Sequence, residues 1–241
     1  MDQTGRSTAP ALVDCAVLMQ ILRRYPLLDS GQLAQVEKKV KPPYPDVKKV
    51  ARALLERRWL TVYQMDQLLQ GRAADLVLGS YLILEQLGEG GMGQVFKAKH
   101  LAMNRIVAVK VIRKERLDST DSVKRFRREI EAAAKLSHPN VVVAHDAGQV
   151  GDVHFFAMEY VEGTDLGKLI KGGGRLPVHS ACDYIRQAAL GLQHAYERGM
   201  VHRDIKPSNL LLTTDGVHTA SESTATITMS GNAVVKILDM G

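Results

Sequence analysis

The sequence predicts an α+β fold of two lobes, preceded by a small all-helical module. Three observations carry this. Residues 11–71 follow a helical period, and residues 78–113 alternate like strands and are rich in Val, Ile, Leu and Gly. Further strand-like runs at 141–147 and 153–160 then surround a single helical stretch at 122–136, before helical patterns return near 165–171 and 178–198. Regular alternation of strand and helix would instead predict a doubly wound sheet.

The elements justify themselves in order. Residues 1–10 are small and polar, a flexible tail. Leu18, Ile21, Leu22 and Tyr25 recur at helical spacing until Pro26 ends the run. Asp29 or Ser30 caps a second helix reaching about Val40, and Lys41-Pro42-Pro43-Tyr44-Pro45 breaks the chain. Asp46 caps a third helix carrying Val50, Ala53 and Leu54. Thr61-Val62-Tyr63-Gln64 fits a capping box, and Gly71 closes that helix. The organisation expected is a tail over 1–10, a helical module over 11–71, a strand-rich lobe over 78–161 and a second lobe over 162–241. Residues 213–232, heavy in Ser and Thr between two apolar runs, read as an exposed loop inserted in the second lobe.

Composition narrows the class. The chain has 241 residues, 45% hydrophobic and 24% charged, which suits an ordinary globular protein with a real core. Its net charge of +6 admits nucleic acid, an anionic membrane or a phosphorylated ligand without choosing among them. Cys15 and Cys182 share no motif and read as free thiols in a reducing compartment. No apolar run is long enough to span a bilayer, so a cytoplasmic location is expected. His100, His138, His145 and His179 lack metal-ligand spacing.

Four motifs carry chemistry. Gly88, Gly90 and Gly93 have G-x-G-x-x-G spacing, which lets backbone amides approach phosphate oxygens. A dinucleotide site needs a helix directly afterwards, yet Val95-Phe96-Lys97-Ala98 continues as strand, so a hairpin is predicted. Val107-Ala108-Val109-Lys110 ends in a lysine that either reaches solvent or holds phosphates; in the second case it needs an anionic partner. Glu129 is the candidate, although its basic neighbours equally suit a solvated helix face. Within His202-Arg203-Asp204-Ile205-Lys206-Pro207-Ser208-Asn209, Asp204 can orient a hydroxyl and accept its proton. Lys206 can balance charge on a transferred phosphoryl group, and Asn209 offers a neutral oxygen to Mg²⁺. Asp239, ending the apolar run Lys236-Ile237-Leu238, is a second Mg²⁺ ligand candidate.

In order and spacing these motifs resemble the protein kinase family, and look most like its bacterial eukaryotic-like serine/threonine members. The likeness runs from about Tyr81 to Gly241. It implies a kinase-like fold with a β-rich first lobe holding one main helix, a helical second lobe, ATP and Mg²⁺ as cofactors, and proteins as substrates. It implies that Gly88, Gly90 and Gly93 cover the phosphates and that Lys110 pairs with Glu129. Leu87, Val95, Ala108 and Leu211 would line the adenine pocket, with Met158 as gatekeeper. The Glu159 carbonyl and the Val161 backbone would bond adenine, and Asp165 would meet the ribose. Asp204 falls on the catalytic aspartate, and Asn209 and Asp239 on the metal ligands. Lys206 fits the serine/threonine class.

Two departures stand out. The usual Asp-Phe-Gly is Asp239-Met240-Gly241, and the later part of the second lobe does not follow it. The expectation is therefore a truncated catalytic region with little activity alone, whose helix around 184–196 lacks part of its packing. A non-catalytic nucleotide-binding or regulatory module is the alternative. Nucleic-acid binding is not expected. The basic stretch of Arg113, Lys114, Arg116, Lys124, Arg125, Arg127 and Arg128 is broken by acids and lacks interleaved aromatics. A protein partner for the helical module is expected, with nothing in that module carrying chemistry.

Overall fold

The computed structural model describes residues 14–90, 93–112, 120–173, 175–213, 217–218, 228–229 and 233–239. The tail 1–10, Met240, Gly241, most of the 213–232 segment and the basic residues 113–116 lie outside the described residues. The chain divides into two compact units, Met1–Val107 and Ala108–Gly241.

The first unit opens with four helices whose starts obey side-chain capping. Asp14 accepts from the Val17 N–H at 2.8 Å and starts α1 (Cys15–Arg24), which buries Leu18, Met19 and Leu22. Asp29 and Gln32 form a reciprocal capping box at α2 (Ser30–Lys39). Asp46 caps α3 (Val47–Glu56), and Thr61 with Gln64 makes a second capping box at α4 (Val62–Leu69). Gly71, at φ 73°, ends this run in the left-handed conformation that a Cβ disfavours.

A single 3₁₀ turn (Ala73–Leu76) leads into β1 (Val77–Leu78), an edge strand not evident in the sequence. It pairs antiparallel with β2 (Tyr81–Gly90), which pairs antiparallel with β3 (Gly93–His100). The β2–β3 register slips twice, between Ile83 and Glu85 and between Gln86 and Gly88. Leu84 and Leu87 are the extra residues at these bulges. The first bulge is clamped by α4. Gln64, only 2% exposed, donates from Nε2 to the Ile83 carbonyl at 2.8 Å, and the Thr61 hydroxyl donates to the Leu84 carbonyl. Side chains that start a helix thus also satisfy carbonyls a bulged strand leaves unpaired.

The unit boundary falls within β4 (Arg105–Ile112). In the second unit, α5 (Thr120–Ala133) precedes the antiparallel hairpin of β5 (Ala144–Val150) and β6 (Val153–Glu159), and β6 neighbours β4. Sequence periodicity placed the β5 strand from 141. Instead Val141 makes an isolated parallel bridge to Ile237, and Val142 N–H donates to the Ile237 carbonyl at 3.1 Å. The backbone here serves a second sheet rather than the hairpin.

That sheet consists of β7 (Gly163–Asp165), β8 (Leu210–Thr213) and β11 (Val235–Ile237), in the order β11-β8-β7. Between β7 and β8 come α6 (Leu166–Gly173) and α7 (Val178–Tyr196). The predicted loop between β8 and β11 contains a two-stranded ribbon, β9 (Val217–His218) with β10 (Thr228–Met229). Leu212, Val235 and Ile237 are fully buried in a core with Tyr184, Ala188 and Ala195 of α7. Gly191 permits the approach: a Cβ there would stand 2.7 Å from Ile237 Cδ1. On its other face α7 exposes Val178, Ile185 and Tyr196, at 79%, 60% and 71%.

Candidate active site

The second unit gathers most of the polar residues singled out above. Lys110, on β4, is 8% exposed, and its ammonium lies 2.7 Å from Asp239 Oδ1. These residues are 129 positions apart, so only the fold brings them together. Asp239 follows β11 with φ 52°, a left-handed conformation that costs a non-glycine residue about 1 kcal/mol or more. Arg203, ahead of Asp204, shares it at φ 65°.

His202 ties the two strained positions together. Its Nδ1 accepts from the Asp204 N–H at 3.3 Å, and its Nε2 lies 2.8 Å from the Leu238 carbonyl oxygen. Since Nδ1 is an acceptor, the Nε2–H tautomer donates to Leu238. At 6% exposure the ring has no water to replace these partners. The Leu238 N–H in turn donates to the Asn209 carbonyl at 2.9 Å, so the segment carrying Asp239 is bonded to the one carrying Asn209.

Asp204 sits among donors. Lys206 Nζ lies 2.7 Å from its Oδ2, and the Asn209 amide donates to its carbonyl at 2.8 Å and to Oδ2 at 3.3 Å. The Lys206 hydrogen bond holds the Asp204 carboxyl below the usual range; desolvation opposes it, and that lysine's charge and the Asn209 amide add to it. Asn209 itself is 7% exposed.

The remaining candidates lie on the strands nearby. Met158 is 6% exposed on β6, and Ala108 is 8% exposed on β4. Glu159 closes β6 with its side chain committed: one carboxylate oxygen is 2.9 Å from Lys236 Nζ, and Oε2 accepts from the Val143 N–H at 3.2 Å. Val161 follows, half-buried. Asp165 pairs with Leu211 in the β7–β8 register, and Leu211 pairs with Lys236 in the β8–β11 register. Gly163 makes the β7–β8 approach possible, since a Cβ there would overlap the Leu212 carbonyl. Glu129 stands half-buried on α5.

In the first unit, Gly88 pairs with Val95 and Gly90 with Gly93, so the glycine motif is a β-hairpin that continues into β3. A Cβ at Gly88 or Gly90 would point into open space, so one side of this backbone is free to meet a ligand. Leu87, at the second bulge, is 38% exposed.

Three contributors escaped the sequence reading. His202 lies inside the recognised motif, but its bridging depends on Leu238, 36 positions away. Lys236 gave no signal beyond being one polar position within an apolar run. Asn140, which stands in none of the four motifs, donates from Nδ2 to Gln187 Oε1 at 3.0 Å and to the Val235 carbonyl at 2.9 Å, and so anchors β11.

A hairpin of glycines and a separate set of lysine, carboxylates and a buried amide define a class of domain, the protein kinase domain. The chain belongs to the protein kinase family: residues 81–241, more than half of it, match the family's protein kinase domain. Among solved structures it resembles the kinase domain of Mycobacterium tuberculosis PknI, with TM-score 0.56 and 28% identity over 68% of this chain and 60% of that one. Among curated proteins it is 37% identical to serine/threonine-protein kinase PrkC of Bacillus subtilis over 66% of this chain and 26% of PrkC. It is 43% identical to a probable serine/threonine-protein kinase of Clostridium perfringens over 58% of this chain and 21% of that protein. The matched stretch is thus only about a fifth to a quarter of the length of these curated relatives. These similarities set the chain beside bacterial proteins named serine/threonine-protein kinases, in a family that generally uses ATP and Mg²⁺. No helix among the described residues is long and apolar enough to cross a membrane.

Proposed function

We propose that the chain binds Mg²⁺-ATP and carries the residues that transfer its γ-phosphoryl group to serine or threonine hydroxyls of proteins. The observation that carries this is the Lys110–Asp239 ion pair at 2.7 Å, on a segment hydrogen-bonded to Asn209. The donor set suits the metal. One carboxylate and one buried amide are what Mg²⁺ takes from a protein when phosphates and water complete its octahedron. Among the described residues no group of three acidic or His/Cys side chains offers a separate metal site.

In this reading Asn209 and Asp239 hold Mg²⁺, and Lys110 holds phosphate with Glu129 as counter-charge. Gly88, Gly90 and Gly93 present amides to phosphate. Leu87, Val95, Ala108, Met158 and Leu211 contact adenine, the backbones of Glu159 and Val161 hydrogen-bond it, and Asp165 takes the ribose. ATP supplies the phosphoryl group and ADP leaves. Asp204, with its depressed pKa, is a weak base. It orients the attacking hydroxyl and takes the proton late, while Lys206 offsets charge on the phosphoryl oxygens. Residues 78–161 and 162–241 act as the two lobes, 11–71 as a module contacting a protein partner, and the whole works in the cytoplasm, where ATP is supplied.

Calorimetric titration of the whole chain with ATP, with and without Mg²⁺, tests this. Lys110→Met is expected to weaken binding at least tenfold and Asp239→Asn to remove the Mg²⁺ dependence, whereas Asp204→Ala leaves affinity within about twofold and removes whatever small phosphorylation of a serine-containing peptide the chain supports. Unchanged affinity in both of the first two variants overturns the assignment.

A further inference from the structure

The helical module contains a groove that nucleotide chemistry does not use. It runs between α2 and α3 and has a volume of about 260 Å³. Val36 and Val50, each 6% exposed, form its floor, and half-buried Trp59 forms one wall. The mouth is cationic. Lys39, Lys49 and Arg57 line it, all exposed, and no acidic side chain does. The nearby acids are directed elsewhere: Glu37 bonds Arg23 at 2.8 Å, and Glu56 lies 4.0 Å from Arg52. None of the ion pairs among the described residues involves Lys39, Lys49 or Arg57. The Arg57 guanidinium instead stacks over the Trp59 ring, 4.8 Å from its centroid.

We propose that this groove binds an acidic amphipathic helix of a partner protein. An apolar floor under a mouth of one sign selects an amphiphile of the opposite sign. The lining residues Lys49, Val50, Ala53, Leu54 and Arg57 run along about two turns of α3, roughly 12 Å, and Val36 and Lys39 near the end of α2 complete the trough. A trough of that length matches anchors spaced i, i+3, i+4 and i+7 along a helix. Lys39, Lys49 and Arg57 then meet the ligand's carboxylates around those anchors. This deepens the partner reading of the helical module and is independent of the nucleotide assignment.

Trp59 is the chain's only tryptophan, so its fluorescence reports the groove directly. The whole chain is titrated with a synthetic peptide of roughly 15 residues, long enough for helix formation. It carries leucine at those anchor positions and glutamate elsewhere. The expected result is a saturable change in emission, weakened at least tenfold in K39E/K49E, by replacing the peptide's glutamates with lysines, and by raising salt. Both substitutions are on exposed side chains, and an unchanged melting temperature confirms folding; Val50→Ala, checked by the same melting measurement, supplies a second variant that trims the apolar floor. Four results overturn the proposal: no saturable change up to about 1 mM peptide, the weakest affinity of interest; equal response to the lysine peptide; response to oleate or anionic phosphatidylglycerol vesicles but not to peptide; or dimerisation of the chain through this face, seen by mass. ATP titration of the same samples separates the two readings. Peptide binding without ATP binding defeats only the nucleotide assignment, and the reverse defeats only this one.

Discussion

At the scale of single residues, the ionisation of Asp204 depends chiefly on one neighbour. Lys206 comes first among the causes that depress its carboxyl, followed after opposing desolvation by that lysine's charge, the Asn209 amide and His202. The pair is exposed, at 62% and 51% for the two side chains, so salt screens it. The sign follows from linkage. A carboxyl with a depressed folded pKa contributes stability above its unfolded pKa, and the contribution fades as pH falls through the folded value. Asp204 is therefore expected to remain ionised at pH values where an ordinary aspartate is already half protonated. Carbon-13 NMR of the side-chain carboxyl should find its midpoint below 3.8, the ordinary value, moving up in Lys206→Ala and in high salt. A midpoint indifferent to Lys206 would mean that the 2.7 Å contact does not persist in solution.

At the scale of elements, α4 and β2 were legible separately but not together. The Thr61–Gln64 capping box is written in four consecutive residues, and the strand in its alternation. The same two side chains also serve Ile83 and Leu84, and the bulge that makes those carbonyls available depends on how β2 and β3 register. Local pattern reaches over one turn of helix or two residues of strand, whereas a contact spanning 19 positions depends on packing. The same limit explains the rest of the candidate site. Its members were readable because phosphate and metal chemistry restrict residue types, and Lys110, Asp204, Asn209 and Asp239 stand in short motifs. The partners that position them, His202 on Leu238 and Lys236 on Glu159, were not readable, since nothing local in the sequence specifies them. The short β7 strand escaped because three residues, one of them glycine, carry no period. The clamp has a measurable consequence. Gln64→Ala leaves the buried Ile83 carbonyl without its donor and is expected to cost about 1–3 kcal/mol. Hydrogen exchange should show faster amides in α4 and in the β2–β3 hairpin together; an increase confined to α4 would show that the helix does not support the strand.

At the scale of the whole molecule, one long helix carries two apolar faces. Tyr184, Ala188, Gly191 and Ala195 of α7 are buried, most of them against the β8–β11 sheet. Val178, Ile185 and Tyr196 lie on a different side of the same helix and face water. The angular step of 100° per residue places 178, 185 and 196 within about 20° of one another, so they form a single stripe rather than scattered exposure. Isolated surface apolar residues are ordinary, whereas contiguous stripes promote association. Replacing Ile185 and Tyr196 with lysine removes nothing from the buried face, so the melting temperature should stay within about 2 °C, as surface substitutions typically change stability by no more than about 0.5 kcal/mol. The same double variant should bind less of a hydrophobic dye and show less concentration-dependent light scattering than the unaltered chain. Equal scattering by both proteins would locate the associating surface elsewhere. A large fall in melting temperature would mean instead that the stripe packs against part of the chain in solution, so that its exposure is not a property of the folded molecule.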